Sequence, residues 1–190
     1  GAGTVVTGTL SGGSLRVGDA VIIQPAGLRG RVRGLQCHNK PVETARPGSR
    51  TAVQISGVDA AHEAGSGGVW RGHVLEGGLL LSPAASEVVH VIVERFSRER
   101  NPGEAPVVKH GQRVWCHHGS AGYAARLYFV DRRPPGPGES ALAELRFNAP
   151  VAVHEGVRFI LRDFSRRHTL AGGMILDRSA KARSWKKKAF

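Results

Sequence analysis

Residues 29–36 read Arg29-Gly30-Arg31-Val32-Arg33-Gly34-Leu35-Gln36. Arg29, Arg31 and Arg33 alternate with Gly30, Val32 and Gly34, so one face is charged and the other small or apolar. A period of two marks a half-buried β-strand. The same grammar extends in both directions. Residues 4–10 are rich in β-branched side chains and stop at Ser11-Gly12-Gly13. Arg16-Val17-Gly18-Asp19 reads as a turn before the apolar run at 20–23. Pro47-Gly48 is a further turn, and residues 50–55 form the next strand. Residues 59–64 hold the one plausible helical turn of this half; residues 69–75 read as extended.

A connector at 79–86 with one proline leads to a second series of strands at 88–96, 112–116 and 124–130. Residues 98–106 are polar, contain Pro102-Gly103 and predict a loop. Pro134-Pro135-Gly136-Pro137-Gly138 can be neither helix nor inner strand. Residues 142–147 set Ala143, Leu145 and Phe147 against Glu144 and Arg146, and residues 158–162 and 169–176 complete the pattern. Short strands about 8–12 residues apart with Gly/Pro turns predict all-β barrels or sandwiches. No helical period is sustained and no internal repeat stands out.

The 190 residues suffice for one large domain, or for two barrels of about 90 residues each. Apolar residues at 41% and charged residues at 22% support folded cores. Lys+Arg is 27 against Asp+Glu 15, a net charge of +12, with 21 arginines and 6 lysines. That balance points to a polyanionic partner. Two cysteines make no disulfide framework, so a reducing cytoplasm is the default. No run of 18 apolar residues exists, and no membrane partner is expected. The opening Gly1-Ala2-Gly3-Thr4 is neither a start methionine nor a signal peptide, which suggests a piece of a longer protein.

Enzyme signatures are sparse. No phosphate-cradling loop ends in Lys and Ser/Thr, since Gly65 to Gly68 runs into Val69-Trp70. There is no nucleophile elbow, and the acidic residues are too scattered to nominate a catalytic pair. Cys37-His38 and Cys116-His117-His118 could supply metal ligands. Adjacent strand residues face opposite ways, however, and no Cys-x-x-Cys pair supports a site. No catalytic residue and no metal site are therefore expected. Arg158, Arg162, Arg166, Arg167 and His168 cluster within eleven positions, which suits either a solvated face or RNA. Lys186-Lys187-Lys188 belongs to a basic tail or linker over 179–190.

Read in order, several motifs resemble the second and third domains of translational GTPases of the elongation factor Tu type. They are Gly3-Thr4-Val5-Val6-Thr7-Gly8-Thr9-Leu10, Gly13, Val17-Gly18-Asp19, Arg33-Gly34-Leu35-Gln36, Ala45-Arg46-Pro47-Gly48 and Arg71-Gly72-His73-Val74-Leu75. Gly156 to Asp163 and Thr169 to Gly173 continue the series. Within that superfamily three features resemble the bacterial selenocysteine-specific elongation factor. These are Asn39 to Ala45 within the stretch from Gln36 to Arg50, His117-His118-Gly119-Ser120, and the continuation into Lys181 to Lys188.

The resemblance implies two consecutive elongation-factor β-barrels at residues 1–82 and 86–178, the first without its opening strand. It implies selenocysteinyl-tRNA, the ribosome and an mRNA hairpin as partners, the hairpin through C-terminal domains outside these residues. It implies GTP and magnesium at a separate GTPase domain, no cofactor in this chain, and a monomer. Thr7, His38 and Arg50 would line the aminoacyl pocket, and Gln36 would sit by the 3′-terminal adenosine. Arg50 stands where elongation factor Tu has asparagine, and its guanidinium would favour an ionised selenol over serine's neutral hydroxyl. His117, His118, Arg162, Ser165, Arg166, Arg167 and His168 would meet the body of the tRNA, where shape and backbone contacts dominate. Two alternatives stay open: the tRNA-binding barrels of another translational GTPase, and a structural rRNA-binding β-barrel protein.

Overall fold

The computed structural model describes residues 3–61, 67–77, 84–96, 107–165 and 168–178, and every regular element among them is a β-strand. The chain divides into two units, Gly1–Pro83 and Ala84–Phe190.

In the first unit the strands are β1 (Thr4–Thr9), β2 (Leu15–Arg16), β3 (Ala20–Gln24), β4 (Leu28–Cys37), β5 (Lys40–Val42), β6 (Thr44–Ala45), β7 (Arg50–Ser56) and β8 (Val74–Glu76). The main sheet runs β1-β7-β4-β3-β8 with β5 added to β4, and β2 pairs separately with β6. Val21, Val32, Leu35, Val53 and Ile55 fill its core. Each such side chain removed from water stabilises the unit by about 1.5–3 kcal/mol.

Strict alternation in β4 breaks at Arg33. Val32 pairs with Ile55 and Gly34 with Gln54, which leaves Arg33 as the extra residue of a β-bulge. The phase changes there: Val32 and Leu35 are both buried, while Arg33 and Gln36 are both exposed. Uninterrupted alternation would have sent Gln36 to the buried side with Val32. Gly30 is required where it stands, because an added Cβ would collide with the Ile55 side chain and lie 2.9 Å from the Ser56 carbonyl oxygen.

The helical turn expected at 59–64 is not formed in its described part. Ala60 instead makes a parallel bridge to Val69, with the Ala61 N–H donating to the Val69 carbonyl at 2.9 Å. Residues 62–66 lie outside the described set, as do most of the expected connector, the 98–106 loop, Arg166, Arg167 and the tail at 179–190.

In the second unit the strands are β9 (Ala84–Glu94), β10 (Gln112–His118), β11 (Ala121–Phe129), β12 (Ser140–Val153), β13 (Arg158–Asp163) and β14 (Thr169–Asp177). They close in the order β10-β11-β12-β9-β14-β13, so this barrel has no free edge. Val89, Val91, Val93, Leu127, Phe129, Leu145, Leu161 and Ile175 form its core, joined by Cys116. β9 and β12 each run longer than their alternating segments, because the pairing resumes beyond a register shift between Arg146 and Val151. Glu144 points away from the core yet has no exposed surface. It pairs with Arg146 on its own strand, and its Oε2 lies 3.8 Å from His90 Nε2 on β9.

Candidate nucleic-acid interface

The first candidate surface is built on β7, which is flanked by β1 and β4. Ala52 pairs with Thr7 on one side and with Gln36 on the other, and Gln36 pairs with Pro41 of β5. Adjacent strands are about 4.8 Å apart, so Thr7 and Gln36 stand about 10 Å apart with the small Ala52 between them. Arg50 pairs with Thr9 and is two residues from Ala52, hence on the same side of the sheet. Thr7, Thr9, Gln36 and Arg50 are all exposed. The register thus brings Thr7, Gln36 and Arg50 onto one face, with a shallow floor at Ala52.

Arg50 makes no ion pair among the described residues. The start of its strand is pinned from below. Ser49 Oγ donates to the Arg46 carbonyl at 2.6 Å and lies 3.1 Å from Thr51 Oγ1, which is 3.4 Å from Cys37 Sγ. His38 sits elsewhere than on a strand: with Asn39 it forms the two-residue tip joining β4 to β5. Both have positive φ, 50° and 61°. That left-handed pair is the hairpin turn whose twist matches the flanking strands. His38 is exposed at this tip, two residues beyond Gln36.

The second surface is the outer side of β11, β10 and β13. Trp115 pairs with Ala124 and Arg162, and His117 pairs with Gly122 and Ile160. Phe164, at the end of β13, stacks on Trp115 with ring centroids 5.8 Å apart. Its other partner is Arg113, whose guanidinium carbon lies 3.9 Å from the Phe164 centroid. Arg126 pairs with Arg113 and adds a further positive charge. Flat rings flanked by guanidinium groups can stack against bases or pair with phosphates.

His117 and His118 divide between two sides of the barrel wall, as neighbours on a strand must. His117 lies over Gly122, where an added Cβ would be 2.8 Å from its Nδ1. His118 leaves the Trp115 side and stacks on Tyr123, 5.1 Å between centroids. Burial, and secondarily His154, holds its pKa below the ordinary histidine value. Its expected contact with the tRNA body therefore does not share a surface with that of Arg162. Asp163 organises the following loop: it accepts from Ser165 Oγ, and its Oδ1 accepts the His168 N–H at 2.9 Å. The Ser165 hydroxyl proton is thus committed within the loop, while Ser165 and His168 stay exposed.

Cys116 lies in the second core, where burial pushes its thiol pKa up, and Cys37 lies in the first unit. Sequence reasoning passed over Arg113, Trp115 and Arg126, while the loop from Phe164 to His168 was expected at a contact region. Arg113, Trp115 and His117 at every second position carry a signal of period two that would have shown their common side.

Residues 3–70 match the family model for elongation factor Tu domain 2. Residues 97–182 match the model for the selenocysteine-specific elongation factor, beta-barrel domain. The chain is 42% identical over 177 residues to the selenocysteine-specific elongation factor of Desulfomicrobium baculatum. It is 34% identical over 176 residues to that of Escherichia coli, and each alignment covers 93% of this chain.

The two halves of the chain match barrel domains of translation elongation factors, the second of them the selenocysteine-specific type.

Elongation factor 1-alpha of Pyrobaculum calidifontis is 30% identical over 191 residues and covers 93% of this chain and 41% of its own length. The chain spans 26% and 25% of the two relatives named first. What it contributes is translation-factor β-barrel structure of the elongation factor Tu domain 2 type and the selenocysteine-specific barrel type.

Proposed function

We propose that these barrels hold selenocysteinyl-tRNA for delivery to the ribosome at recoded UGA codons. GTP and magnesium belong in this reading to a GTPase domain of the full-length protein outside these residues, and an mRNA hairpin to further domains. The observation that carries the proposal is the Thr7–Ala52–Gln36 row with Arg50 beside it on one exposed side. Gln36 offers an amide to the terminal adenosine, and Thr7 offers a hydroxyl to the aminoacyl end. Arg50 offers an unspent positive charge where a selenolate would lie. A charge-assisted hydrogen bond worth about 1.5–3 kcal/mol corresponds to about tenfold to 150-fold preference over a neutral serine hydroxyl. Arg162, Trp115, Phe164 and Arg113 offer the second barrel's side to the RNA body, with the Asp163 loop at its end.

The test is GTP-dependent binding of selenocysteinyl-tRNA and seryl-tRNA sharing one tRNA body, by the full-length protein and its Arg50→Ala variant. A preference for the selenocysteinyl form that falls in the variant supports both the factor and the anion-reading pocket. An unchanged preference removes the role of Arg50. No preference in the unmodified protein leaves a general tRNA or rRNA binder.

A further inference from the structure

We propose that Arg29, Arg31 and Arg33 form a second RNA-contacting element on the first unit, a track for the phosphate backbone of the same tRNA whose end lies at Gln36. The inference rests on the reading of Gln36 and Thr7 as the site of that end. The bulge at Arg33 supplies the geometry, because it turns Arg33 and Gln36 to the same exposed side of β4. Arg33 and Gln36 are three residues apart, about 10 Å along a strand. Arg29 to Arg33 spans about 13 Å more. An RNA strand leaving the Thr7–Ala52–Gln36 row along β4 passes over all three guanidinium groups.

Two of the three are oriented by the protein itself. Arg31 Nη1 donates to the Gly18 carbonyl at 2.7 Å, and Arg33 Nε donates to Ser56 Oγ at 2.9 Å. Each bond uses one N–H and leaves others of the fork for a phosphate. The cross-strand neighbours are Ala20 and Ile22 on β3 and Ser56 on β7, none of them charged. None of these cross-strand neighbours is aromatic, so none offers the buried anchor typical of a protein interface. Three positive charges at even spacing along one strand, with the nearest carboxylate of the row, Glu76, two strands away across Ile22, suit a polyphosphate strand.

The experiment measures affinity against salt concentration for the full-length protein with two probes: selenocysteinyl-tRNA, and a transcript of the same tRNA lacking its four 3′-terminal nucleotides. Arg31 is left in place because it also ties down the Gly18 turn. In R29Q/R33Q, loss of two phosphate contacts lowers the slope of log K against log salt by about 1.4–1.8 on both probes, with affinity down about tenfold at low salt. The R29K/R33K variant, which keeps the charges, retains most of the slope, and thermal unfolding of both variants stays as in the parent. An unchanged slope in R29Q/R33Q overturns the proposal, as does a loss of affinity without a change of slope. The slope on the shortened transcript does not involve the pocket, so a failure of the Arg50 discrimination is read separately from a failure of the track.

Discussion

Thr7 and Gln36, twenty-nine positions apart in the chain, flank the same residue, Ala52, from opposite sides of β7. The small side chain between them leaves a floor on which a terminal nucleotide can lie. The Ala52→Trp variant fills that floor without touching the core, since Val53 and Thr51 carry the buried side of the strand. We expect selenocysteinyl-tRNA binding to weaken at least about tenfold, which is about 1.4 kcal/mol. Titration of labelled tRNA checks this, with far-UV circular dichroism unchanged. Full-strength binding would separate the row from the RNA terminus.

Gly30 and Gly8 make a matched pair. A methyl group at Gly30 meets Ile55 and the Ser56 carbonyl, whereas nothing lies within 4 Å of one at Gly8. Gly30→Ala should cost about 1–3 kcal/mol by overpacking, while Gly8→Ala stays within about 0.5 kcal/mol of the parent. Urea denaturation of the two variants reads the difference. Equal midpoints would mean that β4 and β7 can move apart at no cost.

Glu144 faces outward from the barrel and is nevertheless covered, with Arg146 as its ion-pair partner, His90 Nε2 at 3.8 Å and Tyr128 under the Arg146 guanidinium at 4.6 Å. Glu144→Ala strips a buried carboxylate from beside Arg146 and His90, which are themselves partly exposed. The cost should be about 3 kcal/mol, at the low end for breaking a buried pair. It is read as a lower urea midpoint at constant m-value. A loss under about 1 kcal/mol would show that water replaces the carboxylate there.

His118 gives the second barrel a pH dependence. Burial lowers its pKa in the folded state, so between that value and the unfolded one the unfolded chain binds more protons. Stability from this group is therefore complete above the unfolded pKa of about 6.5 and falls as the pH drops below it. His73 and His110 are shifted the same way, chiefly by burial. Melting temperatures at pH 7.5, 6.5 and 5.5 should decline less steeply in His118→Phe, which keeps a ring against Tyr123, than in the parent. Parallel declines would assign the effect to the other histidines.

Phe164 contacts both Arg113 and Trp115 and remains exposed. Phe164→Ala removes the central ring and frees Arg113 to wander, with little loss of core. RNA affinity should fall by about 1–3 kcal/mol if a base stacks there, with the salt slope held nearly constant because no charge is removed. A change confined to the slope would mean that the ring only positions Arg113.

Much of this was legible in the residues. Alternation at 142–147 placed Leu145 in the core, and Gly/Pro spacing marked the turns, because strand phase and turn chemistry are local properties of the chain. The order of the motifs pointed to the family before any coordinates did. Local pattern could not reach the pairing of Ala52 with both Thr7 and Gln36, which depends on contacts between distant segments. Nor could it show the burial of Glu144, whose neighbours Arg146, His90 and Tyr128 come from three strands. In its described part the helical turn expected at 59–64 failed for the same reason: Val69 offered residues 59–61 a pairing that local propensity could not weigh.

By itself, the sequence determined an all-β chain of translation-factor type, its strand phases and its basic surface, because side-chain alternation and turn residues act within a few positions. Only the tertiary structure decided that one extra residue at Arg33 would turn Gln36 outward, and that Arg113, Phe164 and Trp115 would stack. Those outcomes depend on register, and register is selected by how whole sheet faces pack together, not by any segment alone.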